Sequence, residues 1–303
     1  MRQRVLLTGC HGRLGQHLLR LLLPRFDVLG VGRAPGSFVA HSHFRYAAIS
    51  GVGKSALKPL FHDFRPDAVL NAAAYTQVDR AEDEREACWQ ANVDLVRTLS
   101  ELCHPRGLWL GQVSTDYIFD GEHGPYEESA TPSPLNVYGQ SKLAAENLLR
   151  GAGGNTAIVR TIVVYGKGHG LGLDFVSWVL QELSAQRPIQ VVTDQSGNCI
   201  WAMELARLLV LAMEQRRCGL FHAGCDEVLT RYELARTVAR VFDLDENLVI
   251  PVASAQLSQA AKRPARSGLL TGETRRQLGI QLLGLEESLR AFKADRSQSW
   301  SMN

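Results

Sequence analysis

Between two apolar runs the chain reads Thr8-Gly9-Cys10-His11-Gly12-Arg13-Leu14-Gly15, and this stretch narrows the possible folds more than any other. The run before it, Arg4 to Thr8, is short, apolar and long enough for a strand. The run after it, Leu14 to Leu23, has the length and apolar spacing of a helix and is stopped by Pro24. Glycines three residues apart between a strand and a helix fit a turn that meets a pyrophosphate. Gly9 allows the tight turn, Gly12 lets the backbone approach the phosphates, and Gly15 lets helix and strand pack closely. The helix N-terminus adds free N–H groups and the positive end of its dipole. Cys10 and His11 read as loop residues.

The rest of the first half repeats the alternation. Strand-like runs occur at Asp27 to Arg33, Tyr46 to Ser50, Asp67 to Ala74, Leu108 to Thr115 and Thr156 to Gly166. Between them lie helical stretches, one expected to be interrupted or kinked by Pro59 and a long one from Glu84 to His104 that ends at Pro105. Near-continuous apolar strands alternating with helices predict an α/β fold, a Rossmann-type doubly wound parallel sheet. After about Gly166 the rhythm loosens. Helices at Asp174 to Ala185, Ala202 to Gln215 and Arg231 to Val241 are separated by short strands such as Ile189 to Val192 and Gly219 to Ala223. We expect residues 1–166 to form the cofactor-binding domain. Residues 167–303 should be mainly a smaller mixed α/β substrate lobe, with some segments returning to the large sheet. The polar end from Asp295 to Asn303 reads as frayed.

Charge and cysteines exclude several classes. The formal net charge is +2 and the arginine pairs at 216–217 and 275–276 are short, so nucleic acid is not an expected partner. The longest apolar runs are too short to span a bilayer, and no signal-peptide pattern precedes the first strand, so a cytoplasmic protein is expected. Six scattered cysteines without a CxxC read as reduced and mostly buried thiols. His41 and His43 have no ligand partners at zinc-like spacing, so no metal is expected.

The end of the second strand selects the cofactor. An NAD site usually carries an acid there to hold the ribose hydroxyls. Here Gly32 and Arg33 follow Val31, and a guanidinium fork suits a 2′-phosphate. NADP(H) is the preferred reading, with NAD(H) left open.

Tyr138 and Lys142 stand one helical turn apart at the start of the helix after the fifth strand, on one face. A nearby ammonium favours a phenolate, so Tyr138 is expected to titrate below the usual value of about 10 and to serve as a general acid–base. Lys142 also fits the nicotinamide ribose. Ser114 and Thr115 end the preceding strand at the carboxyl edge of the sheet, where a hydroxyl would orient a substrate oxygen.

These residues carry a resemblance. The stretches TGCHGRLG, NAAAYTQVDRAE, QANVD, VSTDYIFDG and NVYGQSKLAAE resemble the extended short-chain dehydrogenase/reductases, and among them the dTDP-4-dehydrorhamnose reductase family. The likeness runs from Met1 to about Leu289 and takes in VVTDQSG and KRPARSGLL. It implies a catalytic set of Thr115, Tyr138 and Lys142. It implies a cofactor loop of Gly9, Gly12, Arg13, Leu14 and Gly15, a flanking segment of Asn71, Ala72 and Ala73, and a helix asparagine, Asn92, near the site. Asp116 and Tyr117 would hold the sugar, and Arg263 the diphosphate. The implied reaction is hydride transfer from NADPH to the C4 ketone of a nucleotide-linked 6-deoxy sugar, with Tyr138 protonating the alkoxide. A homodimer is the group's habit.

The chain departs from that pattern on its substrate side. Ile162 and Val163 stand where the family shows a Ser-Trp pair, Cys199-Ile200 where it shows Pro-Thr, and Ala48 near an expected adenine-contacting Asp. Three readings stay open: a nucleotide-sugar reductase, a non-catalytic NADP-binding regulatory subunit resembling the beta subunit of methionine adenosyltransferase, and another nucleotide-sugar-modifying activity such as epimerisation.

Overall fold

The apolar runs of the first half supply six strands of a seven-stranded sheet, and the nearly unbroken burial of its inner strands follows from having helices on both faces. The structure, a computed structural model, describes residues 2–257 and 259–297. The last residues of the polar end, 298–303, lie outside the described residues. In chain order the strands are β1 Arg4–Thr8, β2 Asp27–Gly32, β3 Phe44–Ala48, β4 Ala68–Asn71, β5 Trp109–Thr115, β6 Thr156–Thr161, β7 Val163–Tyr165, β8 Ile189–Val192, β9 Ser196–Gly197, β10 Cys199–Trp201, β11 Gly219–Ala223, β12 Leu229–Thr230 and β13 Val249–Val252. The helices are α1 Arg13–Leu22, α2 Lys54–Phe64, α3 Arg85–Trp89, α4 Leu95–Cys103, α5 Val137–Ala152, α6 Phe175–Ser184, α7 Ala202–Glu214, α8 Arg231–Val241, α9 Gly272–Leu278 and α10 Leu285–Ser297.

The large sheet runs β11-β6-β5-β4-β1-β2-β3, with every neighbour parallel. Strand order reverses between β1 and β4. In an open parallel sheet that reversal leaves a crevice beyond the carboxyl ends of the two strands. One face buries Leu18, Leu19 and Leu22 of α1 against Leu205, Leu208 and Leu209 of α7. The other buries Leu57 and Phe61 of α2, Leu95 and Leu99 of α4, and Leu149 of α5.

Residues beyond Gly166 divide between two places. α7 packs on α1, and β11 pairs with β6 at the sheet edge, so this part of the chain returns to the first layer. A separate core gathers Val176, Leu180, Leu234, Val238, Leu289 and Phe292 from α6, α8 and α10. Beside it lie the short pairs β7–β10, β8–β13 and β9–β12.

Three segments differ from the sequence reading. Pro59 does not interrupt its helix: α2 runs through it to Phe64 and closes at Arg65 in the left-handed region, φ 50°. The long helix predicted from Glu84 to His104 is split by a π-helical turn over Gln90–Asp94. Asn92 lies inside that turn, accepts from the Tyr75 N–H at 2.9 Å and donates to Ser141 at 2.9 Å, bonds that account for the local widening. The strand predicted across Thr156 to Gly166 breaks after Thr161, and its second half leaves the large sheet to pair with β10.

Candidate active site

The crevice between β1 and β4 opens into a cavity of about 540 Å³ whose walls include Gly12, Leu14, Ala72, Ala73, Thr115, Asp116, Tyr117, Tyr138 and Lys142. Its floor is the glycine turn. Gly9 donates to the Val31 carbonyl at 3.0 Å, Gly12 to Gly9 at 2.9 Å, and α1 begins at Arg13. No side chain caps α1 and no acid stands in its first turn, so its N–H groups and dipole face the cavity uncompensated. A Cβ on Gly15 would sit 2.1 Å from the Gly9 carbonyl oxygen, so only glycine lets helix and turn meet there. Asn71 closes the β1–β4 side. It receives a bond from Thr8, donates to Gln112 at 2.7 Å, and accepts from the Ala73 N–H at 3.2 Å. The residues present therefore fit a dinucleotide: a cradle that side chains would fill, with unpaired N–H donors at its rim.

Two predicted cofactor residues behave differently. Arg13 turns away from the turn toward the second lobe, where it pairs with Asp174 at 2.7 Å and donates to the Gly166 and Gly172 carbonyls. It lines the cavity while tying the two lobes together. Arg33 is exposed just past the end of β2. Ala48, the end of β3, is also exposed.

Tyr138 and Lys142 are set by the start of α5. Asn136 caps the helix by accepting from the Gly139 N–H at 2.8 Å, and also donates to the Lys262 carbonyl at 2.9 Å. Gly139 lies directly on the turn Asp116–Ile118, where an added Cβ would meet the Tyr117 carbonyl oxygen at 2.1 Å. That close approach brings Tyr138 beside Thr115 and sets its ring edge-on to Tyr117, centroids 5.9 Å apart. Lys142 is buried and donates to the Val113 carbonyl at 2.6 Å. Burial pulls its amine down to about 8, partly opposed by Glu146 one turn on.

The expectation of an acidic phenol is not met. Burial pushes the Tyr138 hydroxyl above its ordinary range, and hydrogen bonding with Thr115 offsets only part of that. A raised value keeps the phenol protonated at neutral pH, the state of a proton donor.

On the substrate side, Asp116 is buried and both oxygens are occupied, by Ser267 at 2.6 Å and Thr115 at 3.2 Å. Burial lifts its carboxyl above the usual range. Arg263 closes a two-bond fork on Asp79, 2.6 and 2.9 Å, and also donates to the Ala261 carbonyl at 3.1 Å. Ile162 and Val163 line the cavity, while Cys199 and Ile200 lie in β10, paired with β7. Ser267 and Asn136 went unremarked in the sequence reading. Asn136 carried a usable signal, an amide side chain immediately before a helix, whereas Ser267 meets Asp116 only through a contact between residues 151 positions apart.

Behind the site lies a buried ion pair. Arg160 donates to Glu146 at 2.8 and 3.0 Å, and Ser114 donates to the same carboxylate at 2.5 Å. It braces β5 next to Thr115 and α5 next to Lys142.

Residues 3–297 match the family model described as RmlD substrate binding domain. The chain is 31% identical over 285 residues to a dTDP-4-keto-6-deoxy-D-glucose reductase of Streptomyces niveus, covering 92% of each. It is 30% identical over 305 residues to the dTDP-4-dehydrorhamnose reductase of Aggregatibacter actinomycetemcomitans, covering 96% of this chain and 98% of that one. Among solved structures, the dTDP-4-dehydrorhamnose reductase of Bacillus anthracis in complex with NADP superposes with a TM-score of 0.86 at 27% identity, over 97% of this chain and 100% of that one.

Proposed function

This chain belongs to the RmlD substrate binding domain family, and from that membership we propose that it is an NAD(P)-dependent reductase of a dTDP-linked 4-keto-6-deoxy sugar. NADP(H) is its preferred cofactor, and NAD(H) is accepted. The observation that carries the reading is the convergence of Thr115, Tyr138 and Lys142 on one cavity whose floor is the uncapped glycine turn.

Gly9, Gly12, Leu14 and Gly15 hold the pyrophosphate, with Asn71, Ala72 and Ala73 alongside and Arg33 at the 2′-phosphate. Arg13 positions this loop from the lobe side. Bound there, the reduced nicotinamide supplies the hydride that reduces the ketone. Tyr138, kept protonated by burial, gives its hydroxyl proton to the developing C4 alkoxide. Thr115 donates to the same oxygen and stabilises its charge before the proton arrives. Lys142 holds the cofactor ribose and keeps a positive charge near the phenol as it loses its proton. Asp116, Tyr117 and Arg263 shape the sugar end, and Ile162 and Val163 make that wall apolar.

The reading takes the protein as a cytoplasmic homodimer acting in dTDP-rhamnose-type deoxysugar synthesis. Among the described residues no helix is long and apolar enough to cross a membrane. The test is NADPH oxidation with dTDP-4-dehydrorhamnose and related 4-keto sugars. Turnover should appear in wild type and drop about a thousandfold in Tyr138→Phe with NADPH affinity kept. NADPH binding without turnover of any dTDP-4-keto sugar would refute it.

A further inference from the structure

Between β7 and α6 the chain runs as a strap over residues 166–174, with glycines at 166, 168, 170 and 172. The strap is bonded back to α1. The buried Gln16 amide donates to the His169 carbonyl at 2.9 Å and accepts from the His169 N–H at 2.8 Å. The same amide donates to the His11 carbonyl of the glycine turn at 2.8 Å. Gly168 permits this approach, because a Cβ there would stand 2.7 Å from the Gln16 side-chain oxygen. Two backbone bonds to one buried side chain make His169 a fixed post beside the cofactor turn.

A line of rings faces that post. His11, within the turn, stacks on Tyr46 of β3 at 4.7 Å and 22°. Phe38, from the β2–β3 loop, lies 4.9 Å from His11 and 4.5 Å from His169. The inner rings are tied down, His11 by Ser37 at 2.9 Å and Tyr46 by donation to the Ala34 carbonyl at 2.7 Å. The outer two, Phe38 and His169, are exposed. A dinucleotide on the turn would run from Arg33, at the root of the β2–β3 loop, to Val163, Val164 and Asp174 at the roots of the strap, all three on the cavity wall. The Phe38–His169 contact therefore joins the two segments that flank the cofactor. A contact between exposed rings is weak enough to open, worth about threefold to tenfold in an equilibrium.

We propose that Phe38 is a latch that closes on the His169 post and sets the rate at which the cofactor enters and leaves. This rests on the dinucleotide reading above. The experiment is stopped-flow NADPH binding and displacement in wild type, Phe38→Ala, His169→Ala and His169→Phe. Opening the latch speeds entry and exit alike, so Phe38→Ala and His169→Ala should each raise both rate constants about threefold to tenfold and keep Kd. His169→Phe retains a ring and should keep wild-type rates. Phe38→Ala combined with His169→Ala should be no faster than the singles, because both remove one contact. Thermal midpoints and the single-turnover hydride rate should stay at wild-type values. Rate constants within about twofold of wild type in both alanine variants would overturn the proposal. So would faster release with unchanged entry, which would make Phe38 a plain cofactor contact. A wild-type protein that binds no NADPH would instead defeat the dinucleotide reading, and the latch with it.

Discussion

The Lys142 ammonium donates to the Val113 carbonyl at 2.6 Å, so the lysine of the pair is fastened to the end of β5. Val113 lies two residues before Thr115, and Tyr138 lies one turn before Lys142. The hydroxyl pair and the amine are therefore held by the same strand–helix contact. Binding a ribose at this amine means sharing donors with Val113 or releasing them.

A buried amine with a lowered value makes stability depend on pH. In the folded chain Lys142 titrates at about 8, against 10.5 for the ordinary side chain. Between those values the unfolded chain binds more protons, so wild-type stability gains as pH rises through the window. Lys142→Met lacks that term. Urea unfolding at about pH 7 and about pH 10 should show wild type gaining on the variant by up to about 3 kcal/mol. Parallel curves would mean the amine is charged at no cost.

Arg160 and Glu146 form a fully buried pair, and their coupling should be strongly non-additive. Arg160→Leu leaves a buried carboxylate with Ser114 and the half-exposed Arg150 as its remaining donors, and should cost about 3–5 kcal/mol. Arg160→Leu combined with Glu146→Leu removes both charges and should cost less than the sum of the singles. Denaturant midpoints of the three variants decide it, and additive losses would argue against a shared network.

Much of this framework could be read from local signals. The glycine turn, the alternation of β1 to β6 with helices, and the Tyr138–Lys142 spacing each depend on neighbours within a few positions. What escaped the reading depends on distant contacts. The π turn exists because Asn92 reaches Tyr75 and Ser141, and β7 leaves the sheet because β10 offers it an edge. Arg263 closes on Asp79, 184 residues away, a partner that no local signal announces. The phenol's direction depended on weighing burial against a charge, and spacing carries no information about burial.

Two glycines of the turn, Gly15 and Gly12, should fail in different ways. At Gly15 a Cβ meets backbone at 2.1 and 2.7 Å, which the turn cannot yield without shifting. Gly15→Ala should lower stability by about 1–3 kcal/mol even without cofactor. At Gly12 the nearest atom is 3.2 Å away, a contact that slight movement relieves. Gly12→Ala should therefore keep its thermal midpoint while losing NADPH affinity, because the methyl group occupies the phosphate's approach. Thermal scans paired with NADPH titrations separate the two, and equal stability losses would contradict the division of roles.

Arg33 gives the sharpest test of cofactor choice. It is exposed directly after Gly32, at the strand end where a dinucleotide fold meets the ribose 2′ position, and no acid stands there to hold free hydroxyls. A 2′-phosphate would gain charge-assisted bonds from it, while NADH has nothing to offer. Arg33→Ala should raise KM for NADPH about tenfold, leave KM for NADH unchanged and leave kcat with either cofactor as it was. Added salt should raise the wild-type KM for NADPH and affect the variant less, since an exposed cation is screened. If both KM values move together, Arg33 supports the loop's shape, and the preference for NADPH must come from elsewhere in the turn.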